Sequence, residues 1–286
     1  MTKTIGNPLS WGTRMLGVAG HDIGEVAREL GGAHTAPPQV QSIGVEDIRA
    51  ALRQGVADFA ALRTDVIGAC LLYPIIGACL IWAAFHNSML PLIFPLVSGF
   101  ALVGPAAAVG LYEMSRQREA GRPTSWSDGF AVLQSPRFGA ILVLGIAHFF
   151  VFFMWMLTAY FIFQITMGPD LPASAGIFLS EVLTTGPGWA MIALGVPVGF
   201  LFALLVLATS VVSFPLLIDR PVGLPVAVVT SVEVARKNPV TVVVWGGIVA
   251  GMLVLGSIPL LLGLAVVLPI LGHATWHLYR RAVSPA

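Results

Sequence analysis

Along this chain, long apolar runs alternate with short polar stretches, and the two follow different periods. The apolar runs lie at roughly 66–85, 90–112, 139–164, 190–214, 240–257 and 260–279. A bilayer core about 30 Å thick needs about 20 apolar residues per helix, so each run predicts a membrane-spanning helix. The last two form one continuous run of about 40 residues, too long for a single crossing. It divides at Gly256-Ser257-Ile258-Pro259, because the residue before a proline resists the helical conformation. Ahead of the first run the period is amphipathic. Val45, Ile48, Leu52, Val56, Phe59 and Leu62 recur at helical spacing, with Glu46, Asp47, Arg49, Arg53 and Asp58 between them. This pattern predicts an interfacial helix over 41–65, lying along the membrane surface. Residues 1–40 are Gly-rich, contain Pro37-Pro38 and read as a flexible extension, with a short surface helix at 14–30.

Composition excludes a soluble domain. Hydrophobic residues make up 57% of the chain and charged residues 10%, against about 25% charged in soluble domains. Mean hydropathy is +0.88. The fold class expected is therefore all-α: a polytopic membrane protein of six transmembrane helices over 66–286. Residues 1–40 lack the apolar core of a signal peptide, so the first span is expected to act as the insertion signal.

The charges decide orientation. Every Lys and Arg falls before the first run, between runs two and three, between four and five, or after the sixth. The connections at 86–89, 165–189 and 256–259 hold none; 165–189 carries only Asp170 and Glu181. By the positive-inside rule both termini are cytoplasmic.

A short amphipathic stretch precedes each pair of runs, at 46–63, 125–137 and 224–238. The second run of each pair carries a proline, Pro105, Pro215 or Pro269, before its basic end. Tyr112 and Trp276 each follow seven residues after the first and last of these, and Arg116 and Arg280 eleven after. Two readings stand: a threefold internal repeat of helix pairs, or the ease with which apolar sequences align, with aromatics at helix ends.

Motifs for nucleotide binding, hydrolysis or redox chemistry are missing: there is no Walker loop, G-x-S-x-G, H-E-x-x-H or C-x-x-C. No catalytic residue, cofactor or nucleic-acid partner is expected; the expected partners are the bilayer and other membrane proteins or further copies of the chain. Cys70 and Cys79 point to opposite sides of a helix and cannot pair. The candidate polar positions are few. His273 and His277 share one helix face, a geometry open to a metal or haem edge but without a third ligand nearby; hydrogen bonding at headgroup level serves equally. His148 lies well inside the third run, where an ionisable group is either functional or bonded to a neighbouring helix. Glu113 and Asp219 end two helices and are expected to meet Arg116, Arg220 or Arg280 in a charge cluster. The in-span prolines, Pro105, Pro215 and Pro269 above all, free backbone carbonyls and either line a substrate path or only kink their helices. Gly195-x-x-x-Gly199 and Gly247-x-x-x-Gly251 permit close helix contact. The aromatics of run three, Phe149 to Phe163, surround the helix and suggest exposure to lipid or to a partner.

Four stretches carry a family resemblance. They are Ser42-Ile43-Gly44-Val45-Glu46-Asp47-Ile48-Arg49-Ala50-Ala51-Leu52, Gly99-Phe100-Ala101-Leu102-Val103-Gly104-Pro105 with Gly110-Leu111-Tyr112-Glu113, Ser210-Val211-Val212-Ser213-Phe214-Pro215-Leu216-Leu217-Ile218-Asp219-Arg220, and Leu268-Pro269-Ile270-Leu271-Gly272-His273-Ala274-Thr275-Trp276-His277-Leu278-Tyr279-Arg280-Arg281. From Val40 to about Val283 the chain resembles a family of bacterial integral membrane proteins catalogued as domain of unknown function 2189. The resemblance implies a six-helix inner-membrane protein and no activity. Three function classes stay open: an accessory or assembly component of a membrane complex, a small-solute transporter or channel, and a haem- or metal-handling protein.

Overall fold

Each apolar run becomes helix, with breaks at a few prolines and glycines inside the runs. A computed structural model describes residues 38–284, apart from 87–88, 171 and 173. The extension expected over 1–40 and its helix at 14–30 therefore fall outside the described residues, except for 38–40. In chain order the helices are α1 (Val45–Cys70), α2 (Leu72–His86), α3 (Ile93–Ala107), α4 (Val109–Glu119), α5 (Phe138–Thr166), α6 (Ala175–Thr184), α7 (Gly186–Ser210), α8 (Ser213–Asp219), α9 (Leu224–Lys237), α10 (Pro239–Ser257) and α11 (Leu264–Ala282). Two 3₁₀ segments, Leu90–Leu92 and Trp126–Gln134, join them. No strand occurs among the described residues.

Five segments are long and apolar enough to cross a membrane: Val66–His86, Leu90–Glu119, Phe138–Thr166, Gly186–Asp219 and Pro239–Ser257. The sixth run, expected at 260–279, becomes α11 but is too polar to join them. The reason is its position. Its residues Leu271, Gly272, His273, Ala274, Trp276, Leu278 and Tyr279 are all buried in the protein, whereas only 6% of the apolar window of Gly186–Asp219 is buried. A helix wrapped by other helices needs no lipid-facing apolar coat. The break before it spans residues 258–263, where Leu260 and Leu261 take left-handed backbone conformations (φ 51° and 67°). The turn closes because Gly256 and Gly263 touch backbone to backbone; a Cβ on Gly263 would lie 2.7 Å from the Gly256 carbonyl oxygen.

The prolines act locally and differently. Pro74 and Pro215 cannot donate to the carbonyls of Cys70 and Val211, and the helix is interrupted there, at Leu71 and at Val211–Val212. Pro105 and Pro269 sit inside unbroken helices. The interruption after Pro105 falls at Ala108 for another reason: Leu111 N–H bonds to Ala108 O (2.9 Å), and the Tyr73 hydroxyl donates to the freed Ala107 carbonyl (2.7 Å).

The amphipathic stretch before the first span is not a separate surface helix; α1 runs unbroken from it into the span. Its buried face is also rotated from the expected one. Ile48, Ala51, Gly55, Asp58, Leu62 and Val66 are buried, while Val45 and Val56 are about half exposed. Small residues win because α1 packs on α11 at very short range: a Cβ on Gly55 would lie 2.7 Å from Ala274 N and 2.8 Å from Ile270 O.

Among the described residues, the basic segments meet at one end of the bundle. Arg118 reaches Asp58 (3.2 Å), Arg280 reaches Glu119 (3.1 Å) and Asp219 (3.3 Å), and Arg281 reaches Asp47 (3.5 Å). Lys237 donates to Val40 O (2.7 Å), and Arg137 to Ile218 O. There the two described ends are stitched together: Val40 pairs with Val283 in an antiparallel bridge, with Gln41 N to Ala282 O (2.8 Å) and Ser284 N to Gln39 O (3.0 Å). At the other end of α5, Phe163 packs on Phe178 of α6 (ring centroids 6.2 Å).

Trp155 wedges the middle of the bundle. Its indole N–H donates to Pro95 O (3.0 Å), and it packs on Gly99 and Gly199. Gly199 is thus the one member of the two small-residue motifs that another helix covers within the described residues; Gly195, Gly247 and Gly251 meet nothing.

Candidate functional site

The basic end holds the polar groups worth testing for function, and three constellations form there. In the first, Asp58 on α1 sits among α4 and α11. Its Oδ2 accepts from the Ser115 hydroxyl (2.7 Å) and from His277 Nε2 (2.8 Å), and Oδ1 faces Arg118 (3.2 Å). Ser115 Oγ also contacts His273 Nδ1 (2.8 Å). Because the serine proton goes to the carboxylate, Nδ1 of His273 must donate to Ser115. His273 Nε2 is then left buried without a hydrogen-bond partner. Burial works against the charge on Asp58, but the hydrogen bonds from His277 and Ser115 outweigh it and hold the carboxyl below its usual range. Ser115 and His273 are both fully buried. The order is Asp–Ser–His, with the serine in the middle, which orients the serine proton away from the imidazole that a nucleophile would need as base.

In the second constellation Asp219, at the end of α8, accepts from the Tyr279 hydroxyl (2.7 Å) and from Arg280 (3.3 Å), with Arg220 at 3.6 Å. Glu119 accepts from Trp276 Nε1 (2.8 Å) and Arg280 Nε (3.1 Å). Arg280 therefore bridges α4 and α8 from α11. In the third, Arg116 makes a two-pronged contact with Glu113 (2.8 and 2.7 Å), and Gln117 adds a third bond to the same carboxylate (2.6 Å). Beside this trio lies a cavity of about 190 Å³, lined also by Ser135, Arg137, Ile141 and Ile218. The Trp126–Gln134 segment walls it from the outside, held on α4 by backbone contact between Gly110 and Gly129.

The candidate residues of the sequence thus fall into distinct places. Glu113, Asp219, Arg280, His273 and His277 gather at the basic end. Glu113 meets Arg116, and Asp219 meets Arg220 and Arg280. His148 stands apart: its Nδ1 donates to Leu144 O (2.8 Å), its Nε2 faces the Thr209 hydroxyl (3.2 Å), and its ring leans on Phe214. It ties α5 to α7 and α8. Pro215 is packed in the core beside Phe214 and Leu216, and Pro269 is buried in α11. The His273 and His277 rings are engaged with Ser115 and Asp58, and no three His, Cys, Asp or Glu side chains among the described residues converge as a metal-holding group.

Asp58, Ser115, Arg118 and Glu119 were not singled out by the sequence. Asp58 had a signal: it continues the helical row Ile48, Ala51, Gly55, a row of small residues that buries readily. Ser115 had none, since a serine in a polar helix end is ordinary.

A family described as "Predicted integral membrane protein (DUF2189)" matches residues 93–219. No curated protein and no solved structure matches the chain. The match runs from the start of α3 to the end of α8. It takes in Ser115, Glu119, the lining of the cavity, His148 and Asp219; Asp58 and the His273–His277 face lie outside it. The resemblance seen in 42–52 and 268–281 is likewise outside the matched segment. Over residues 93–219, the chain is similar to the DUF2189 family of predicted integral membrane proteins.

Proposed function

We propose that this protein is a non-enzymatic six-span component of a bacterial inner membrane, an accessory or assembly part of a larger membrane complex, with both ends in the cytoplasm. One observation carries the reading: the carboxylates and histidines of the candidate site each hold a partner within the chain, while the outer face is apolar and aromatic. His148 bonds to Leu144 and Thr209 inside the bundle. Phe149, Phe150, Phe153 and Phe161 of α5 are each at least half exposed. Such a body offers lipid or a neighbouring membrane protein a broad contact face.

The six-span count is supported by the meeting of the basic segments. Arg118, Arg137, Lys237 and Arg280 all take part in contacts at one end. Each intervening stretch must then leave and return, and the last return is α11, with 19 residues or about 28 Å of helix. A reporter fused after Ala286 is expected to behave as cytoplasmic and one inserted near Asp170 as periplasmic. The reverse pattern overturns this orientation.

The accessory role is tested by purifying the tagged protein in mild detergent and identifying what accompanies it in stoichiometric amount. A defined membrane complex is the expected result. A clean, self-associated protein sinks the accessory reading and turns attention to solute flux in liposomes.

A further inference from the structure

We propose that the cavity between α4, the Trp126–Gln134 segment and the start of α5 binds a phosphate group, supplied either by the head of an anionic phospholipid or by a free phosphate ester. The site stands independently of the accessory role.

Its donors are those that internal bonding leaves over. Arg116 gives Nε and Nη2 to Glu113, and its Nη1 has no partner among the described residues. Arg137 gives Nη1 to Ile218 O, and its Nε and Nη2 have none among the described residues. The Ser135 hydroxyl accepts from Arg137 N (3.2 Å) and keeps its own proton free to donate. All three residues line the same cavity. The Arg137 Nε–Nη2 edge offers the two-donor fork that grips two phosphate oxygens, and Arg116 Nη1 adds a single donor.

The surrounding charges leave the cavity positive. Glu113 is covered by the Arg116 fork and Gln117. Asp219 is occupied by Tyr279, Arg220 and Arg280. Arg116 and Arg137 against Glu113 leave the lining with one net positive charge. Burial, and then the neighbouring charge of Arg116, push the Arg137 guanidinium down from its usual value, so an anion between them relieves both.

Size and setting say what kind of ligand fits. About 190 Å³ is less than the roughly 300 Å³ and more that enclose a whole drug-sized molecule. The cavity therefore takes a head and leaves a tail outside. Its outer wall turns Trp126, Phe130 and Leu133 outward, each more than half exposed, at the level where the spans end. Exposed aromatics beside paired cations are the composition expected at a headgroup layer facing acyl chains.

The test uses the purified full chain in detergent, offered phosphatidylglycerol or phosphatidylcholine and read by native mass spectrometry. Wild type is expected to retain phosphatidylglycerol preferentially, and Arg137→Gln to lower that retention about tenfold, with Arg137→Lys between. Ser135→Ala, which leaves the Ile218 contact intact, is expected to lose about threefold and covers the case in which Arg137→Gln does not fold. Arg122→Gln, outside the lining, should change nothing. In a second arm millimolar inorganic phosphate is added to lipid-free protein. A melting shift that depends on Arg137, without lipid preference, assigns the site to a free phosphate ester; preference for phosphatidylglycerol without that shift assigns it to lipid. Equal retention of both lipids by wild type and variants, with no phosphate shift, overturns the proposal, as does an Arg122→Gln loss equal to that of Arg137→Gln.

Discussion

Gly55→Leu is expected to prevent α1 from docking on α11, with a loss of stability above about 3 kcal/mol and little folded protein recovered. A Cβ at this position would already lie 2.7 Å from Ala274 N and 2.8 Å from Ile270 O. These are backbone atoms in the middle of a buried helix and have nowhere to move. Alanine supplies a sharper version of the test. In an open helix position Gly→Ala stabilises by about 1 kcal/mol; here overpacking of about 1–3 kcal/mol reverses the sign. Gly247→Ala in α10, where the new methyl meets nothing, is expected to be neutral or stabilising. Thermal unfolding of the three variants in one detergent decides the matter. Equal stabilisation by Gly55→Ala and Gly247→Ala would mean that α1 and α11 are not in contact at this point.

Asp58→Ala should be the second most damaging substitution. The carboxylate is buried (6% exposed) and receives Ser115, His277 and Arg118. Removing it strands three donors, and breaking a buried charged pair in this way costs about 3–5 kcal/mol. Arg118 is more than a third exposed and is solvated in part when released, so about 3 kcal/mol is the expected figure. Asp58→Asn keeps an acceptor for Ser115 and His277 and should fall between. The depressed pKa of Asp58 adds a pH signature. A carboxyl whose folded value lies below its unfolded value of about 3.9 contributes its full stabilisation above that pH, and loses it as pH falls through the folded value. The gap between wild type and Asp58→Asn is therefore expected to be constant near neutrality and to close below about pH 4. A gap under about 0.5 kcal/mol at neutral pH would deny the carboxylate its structural place.

The sequence carried the helices well because lipid-facing runs announce themselves by hydropathy alone. Five of the six expected runs reappear as span-length apolar helices. The sixth was legible as a helix, yet its His273, Trp276, His277 and Tyr279 speak of burial in protein rather than in lipid, and periodicity does not separate the two. The buried face of α1 differs from the expected one because bulk alone does not mark burial. Contact at backbone range selects Ala51 and Gly55, and with them Asp58. The charge pair at Asp219 followed from its position at a helix end; Glu113, expected at one, lies inside α4 and meets Arg116 one turn along the same helix. Ser115 and Glu119 did not, since their partners Asp58 and Arg280 lie 57 and 161 residues away, and no local pattern encodes such a distance. The cavity beside Arg137 was equally hidden: its lining comes from three separated segments.

The pairing of α1 with α11 also sets the order in which the protein is made whole. His277 emerges 219 residues after the Asp58 it bonds to. At about 5–20 residues per second, synthesis leaves that carboxylate without its histidine for on the order of 10–40 s. Through that interval α1 waits at the membrane with its glycine-lined groove empty, and a ribosome that stalls before α11 releases a chain with most of its spans but no keystone. Such a fragment keeps Ser115 and Arg118 on Asp58 but lacks His277, beside an empty helix-sized slot.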